Sequence, residues 1–164
     1  MSLALALYEH LVKVYRELGN EPMLQASLGD QALILKAQGE LGEAMRLLKE
    51  QEAICRRLND PAGLQASLGN QALILQAQGE LEAAMRLLKE VEAICRRLKN
   101  WEGLAITMAN QAGILARQGD NPGALELARQ ALQIAEAHGY VVLARQIRGI
   151  IQRLEGDEKA GMKG

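Results

Sequence analysis

The sequence contains no phenylalanine, one tryptophan (Trp101) and three tyrosines (Tyr8, Tyr15, Tyr140). An interior without aromatics must be filled by Leu, Ile, Ala and Met, most of them strong helix formers. That favours thin helical layers over a β-sandwich. Excess charge is also missing. Nineteen basic residues face twenty acidic ones, for a net charge of −1. With no basic surplus and no aromatic platform for bases, nucleic acid is not an expected partner. No apolar run is long enough to span a bilayer, so no membrane partner is expected. Residues 1–18 are interrupted by Glu9, His10 and Lys13 and do not read as a signal peptide. A cytoplasmic protein is the expectation. Cysteine is limited to Cys55 and Cys95, at equivalent places in two copies of one repeat. They read as small core residues, not a redox or metal pair.

What is present is a repeat. Residues 64–98 occur almost unchanged at 24–58 and recur in diverged form at 104–138. The copies 21–60 and 61–100 differ at ten of forty positions, among them Asp30/Asn70, Lys36/Gln76, Gln51/Val91 and Asn59/Lys99. Leu28, Ala32, Leu35, Leu41, Ala44, Leu48, Ile54 and Leu58 keep their type in the second copy. Packing between repeats is held while the exterior drifts.

Apolar periodicity predicts helices over 1–18, 21–38, 41–58, 61–78, 81–98, 101–118, 122–138 and 140–154. Gly19, Gly39, Gly79, Gly119 and Gly139 punctuate them. Asn20 and Asp60 are expected N-caps, with Pro22 and Pro61 in the first turns. Glu52 with Arg56, and Glu92 with Arg96, are spaced as helical ion pairs on solvated faces. Trp101 is expected to cover an inter-repeat junction.

The run Leu75, Gly79, Leu81, Ala84, Leu88 and Val91 resembles the tetratricopeptide repeat. Leu35, Gly39, Leu41, Ala44 and Leu48 match in the first copy, where Gln51 replaces the last apolar residue. The third copy matches at Gly119, Ala124, Ala128 and Ala131, but Asn121 stands where an apolar residue belongs. The 40-residue period and the triplet Leu68-Gly69-Asn70 are similar to the long-helix variant of kinesin light chains and of the receptor-independent G-protein regulators of spindle orientation.

The resemblance implies an all-α fold of about eight helices, a right-handed superhelical solenoid of antiparallel pairs over residues 1–154. Its parts would be a half repeat (1–20), full repeats (21–60, 61–100, 101–139) and a terminal helix (140–154). Residues 155–164 would be a disordered tail. It also implies a concave groove lined by first helices, where a peptide or partner helix binds. By register the groove would present Asp30, Asn70 and Asn110, then Leu33, Leu73 and Gly113, then Lys36, Gln76 and Ala116, with Arg117 alongside. The Asn row could hydrogen-bond an extended peptide; alternatively, Asn70 and Gln71 serve hydrogen bonds within the fold.

No catalytic constellation, cofactor motif or metal-ligand cluster stands out, so a non-enzymatic scaffold is expected. Residues 1–18 align with a second helix and 140–154 with a first, leaving both ends unpaired. A self-assembling repeat module, natural, engineered or excised, that associates head-to-tail through these ends is therefore the alternative. A regulatory part of a larger signalling enzyme is a third reading.

Overall fold

A computed structural model describes residues 2–164. Among them are eight α-helices and no strand. In order these are α1 (Leu3–Glu17), α2 (Glu21–Ala37), α3 (Leu41–Leu58), α4 (Pro61–Ala77), α5 (Leu81–Leu98), α6 (Trp101–Arg117), α7 (Asn121–Ala137) and α8 (Val141–Met162). Met1, expected to open the first helix, lies outside the described residues.

Local chemistry sets the boundaries. A helix start leaves four backbone N–H groups without partners, and short polar side chains satisfy them. The Asn20 side chain accepts from the Met23 N–H at 3.2 Å and Asp60 from Gly63 at 3.0 Å, as their positions predicted. Asn100 and Asp120 do the same for Gly103 and Gly123. The helix ends share one device. Positive φ occurs at residues 19, 39, 59, 79, 99, 119 and 139, every twentieth position. After each, an N–H reaches back five residues, as Asn20 does to Tyr15 O and Glu80 to Leu75 O, both at 2.9 Å. This closes the last turn in a Schellman motif. Gly fills five of these sites; Asn59 and Lys99 fill the others.

The chain divides into two compact units, Met1–Leu87 and Leu88–Gly164, the division falling inside α5. In the first, α1 packs on α2, α2 on α3 and α3 on α4. Its core joins Leu24, Leu28, Ala32 and Leu35 of α2 to Ala44, Leu47, Leu48 and Ile54 of α3, with Leu5 and Val12 from α1. Burying each such leucine contributes about 1.5–3 kcal/mol. In the second unit α6 packs on α7 and α7 on α8. Small residues dominate there: Ala112, Ala124 and Ala128 are fully buried beside Leu125 and Leu154. The signature positions Ala84, Leu88 and Val91 are buried as well.

The C-terminal expectation needs correction. Residues 155–162 are not a disordered tail; α8 continues to Met162. No proline interrupts the stretch, and Glu155, Glu158, Lys159 and Ala160 are good helix formers that outweigh Gly156 and Gly161. Glu155 is also tied to Arg129 of α7 at 3.2 Å.

Candidate functional site

In the first unit the first helices α2 and α4 lie side by side and pack together. Between them runs a hollow of about 240 Å³, walled by Gly29, Asp30 and Leu33 of α2 and by Gly63, Ala66 and Asn70 of α4. Asp30, Leu33 and Asn70 are thus brought to one place. In the second unit α6 and α8 leave a corresponding hollow of about 390 Å³. Its walls are apolar except for Asn110, Glu102 and Gln146: Ile106 from α6, and Val142, Leu143 and Ile150 from α8. A wider hollow of about 540 Å³, bordered by Met45, Lys49 and Arg86, is lined by residues of α3, α4 and the start of α5.

Leu33 is 41% exposed and Leu73 39%. Four and three residues respectively beyond the small Gly29 and Asn70 positions, they continue the same helix faces. Lys36 is half-buried because its ammonium donates to Asn70 Oδ1 at 3.2 Å. Asn70 in turn donates through Nδ2 to Ala66 O at 3.1 Å. Its amide is therefore engaged within the fold at both ends. Gln76 is half-buried and Arg117 exposed, and both carry interactions of their own. Gly113 and Ala116 are half-buried on α6.

Beneath the first hollow lies a polar chain that the groove register did not reveal. Gln25 donates through Nε2 to Asp60 Oδ2 at 3.3 Å. Gln25 Oε1 accepts from Gln51 Nε2 at 3.1 Å and from Cys55 Sγ at 3.3 Å. Burial and the Asp60 charge push the Cys55 thiol up to about 11, so it stays protonated and able to donate. Gln51 Oε1 is buried and has no hydrogen-bond partner. The signal for this chain was in the sequence: Gln51 is a polar residue at a signature position that holds Val91 in the next copy. The apolar residues Ile106, Val142, Leu143 and Ile150 were also missed. Their cue was aliphatic side chains on α6 and α8, of which Ile106 and Val142 are exposed.

Elsewhere, side chains hold helices together. Gln71 Nε2 donates to Glu52 Oε2 at 2.9 Å, and Gln111 Nε2 to Glu92 Oε2 at 3.0 Å. Ser67 Oγ donates to Leu48 O at 2.6 Å. Trp101 stacks on His138, ring centroids 5.1 Å apart, and His138 on Tyr140 at 6.3 Å. Both cysteines are free and buried. No cluster of His, Cys, Asp and Glu among the described residues could hold a metal ion. No helix among them is long and apolar enough to cross a membrane.

Tandem helix pairs, closed by one recurring turn and grooved between their first helices, define an α-helical repeat protein. Residues 64–137 match the tetratricopeptide repeat family, and the repeats resemble those of kinesin light chains. Among solved structures, BtubC from P. vanneervenii is similar with a TM-score of 0.80 at 16% identity. The match covers 94% of this chain and 65% of BtubC, so the chain spans just under two thirds of that relative. A putative kinesin light chain of Podosopora anserina, with nearly identical TPR-like repeats, gives 0.69 at 21% identity over 95% of this chain and 87% of that one. Aspartyl phosphate phosphatase F of Bacillus subtilis gives 0.77 at 13% identity, over 99% of this chain and 49% of the phosphatase. These likenesses concern the fold. A search of curated protein sequences found no match. Tetratricopeptide repeats are non-catalytic modules that mediate protein–protein interaction.

Proposed function

We propose that this protein is a non-enzymatic scaffold that binds an extended peptide or a partner helix along its first-helix grooves. One observation carries the reading: each unit, taken separately, leaves a hollow between successive first helices, α2 with α4 and α6 with α8. Exposed aliphatic side chains stand along those helices, Leu33 and Leu73 in one unit and Ile106 in the other. Such groups become anchors when a partner covers them. The amides contribute differently from a free Asn row. Asn70 is engaged with Lys36 and Ala66, so the apolar positions supply affinity and the polar ones orientation. A cytoplasmic setting suits two unpaired buried thiols.

The test is selection of peptides from a displayed random library on the intact chain, repeated with Leu33→Glu and Ile106→Glu. Recovered peptides should bind one or both variants about tenfold more weakly, since a covered Leu or Ile contributes about 1.5–3 kcal/mol. Binding unchanged in both would place the interaction off the grooves.

Head-to-tail assembly has less support. For α8 to receive a second helix, the residues equivalent to buried Ala105, Met108 and Ala112 of α6 should be apolar. They are Arg145, Arg148 and Gln152, all exposed. The outer face of α8 is that of a capping helix.

A further inference from the structure

The hollow between α2 and α4 differs from its apolar counterpart in what lies at its floor. We propose that it is a socket for a basic side chain, the ammonium of lysine or the guanidinium of arginine, presented by a bound peptide. The proposal rests on the groove reading above and specifies its chemistry.

The argument begins at Asp60. An ionised carboxylate only accepts hydrogen bonds. It takes Gly63 N–H at 3.0 Å as the cap of α4 and Gln25 Nε2 at 3.3 Å. That orients the Gln25 amide, whose Oε1 must face the other way. There it meets two donors, Gln51 Nε2 and the Cys55 thiol. The Gln51 amide is oriented by the same logic, and its Oε1 is left as the last acceptor of the chain. Gln51 is only 5% exposed, and its Oε1 has no partner. A buried carbonyl without a donor is costly, and a donor brought by a ligand removes that cost.

The surroundings admit such a donor. Gly29 stands directly over the amide: a Cβ there would lie 2.7 Å from Gln51 Nε2 and 3.0 Å from Oε1. The bare backbone leaves Gln51 as part of the wall of the hollow, about 240 Å³ in volume. The terminal torsion of glutamine is soft, so a small turn points Oε1 at the cavity. Asp30 is the one charged residue in the lining, and Asp60 lies behind Gln25. Lys36, the nearby cation, is engaged with Asn70. Acceptors and negative charge line the space, so a cation with N–H groups fits and an anion does not. The socket belongs to this repeat alone: Val91 and Ala131 stand where Gln51 does.

The experiment is a titration of the ¹⁵N-labelled intact chain, followed by NMR, with Nα-acetyl-lysine methylamide and with its norleucine and glutamate counterparts. The lysine probe should shift the Gln51 and Gln25 side-chain NH₂ signals and bind about tenfold more tightly than norleucine. The glutamate probe should not bind. Gln51→Val, which adopts the residue of the next copy, should keep the folded spectrum and lose the lysine preference. Asp30→Asn should weaken that preference. Equal binding of lysine and norleucine, or an undiminished preference in Gln51→Val, overturns the socket. Groove-binding peptides without a recurring Lys or Arg also overturn it and leave the groove reading intact. Lysine selectivity with no groove-binding peptide at all would overturn the groove reading alone.

Discussion

Glu52 and Glu92 occupy the same place in successive repeats and do the same work. Each accepts from a glutamine of the following first helix, Gln71 or Gln111, and from the arginine four residues on, both at 2.8 Å. Partial burial works to raise the Glu92 carboxyl, but the Gln111 hydrogen bond and the Arg96 guanidinium hold it below the usual carboxylate value. A carboxylate with a depressed folded pKa takes up its proton more readily in the unfolded chain. Its stabilisation is therefore complete above the ordinary value of 4.5 and is lost as pH falls through the lower folded one. Glu92→Gln should flatten the acid side of the stability profile, read from urea melts at a series of pH values. An acid slope equal to that of the unmodified chain would show that Glu92 is not linked to folding. The pairing of Glu92 with Arg96 could be read from spacing. The glutamine partner could not, because it lies on another helix and only packing brings it within 3.0 Å.

At the scale of the element, the helices were the most legible part of the sequence. Apolar period, cap residues and turn glycines agree with one another from residue 3 to residue 154, and local signals that agree place boundaries well. The extension of α8 was not legible, because Gly156 and Gly161 suggest breaks that a pairing with α7 offsets. The groove register was legible in part. It placed Asp30, Leu33 and Asn70 together, but it carried no information on side chains below the surface, so Gln25 and the orphaned oxygen of Gln51 stayed hidden. The turns hold one local conflict. Lys99 adopts φ 55° where five equivalent sites hold glycine. A side chain in that conformation costs about 1–2 kcal/mol, partly offset by the greater chain entropy of glycine. Lys99→Gly should therefore raise stability by about 0.5–1 kcal/mol, measurable as a higher urea midpoint. A lower midpoint would mean that the lysine side chain makes a compensating contact.

At the scale of the whole molecule, the two ends are unlike. The α8 face carries Arg145, Arg148 and Gln152, whereas α1 exposes Leu3 at 90% and Leu7 at 54%, and its C-cap Leu18 is 72% exposed. A heterologous contact between unlike surfaces could propagate without limit; an isologous one closes at two copies. Light scattering over a range of concentrations should give no mass above that of a dimer. A mass that keeps growing with concentration would revive head-to-tail assembly. If a dimer forms, Leu7→Lys should return it to the monomer.

The turn that recurs at every twentieth residue also governs how such a chain can change length. Twenty residues make one helix with its turn, and they exchange the first-helix role for the second. Forty restore it. Gain or loss of forty residues by unequal recombination leaves every later side chain facing the same way. Gain or loss of twenty would present the packing face of each later helix where its groove face had been. Residues 21–60 and 61–100 are nearly identical and stand one such forty-residue step apart.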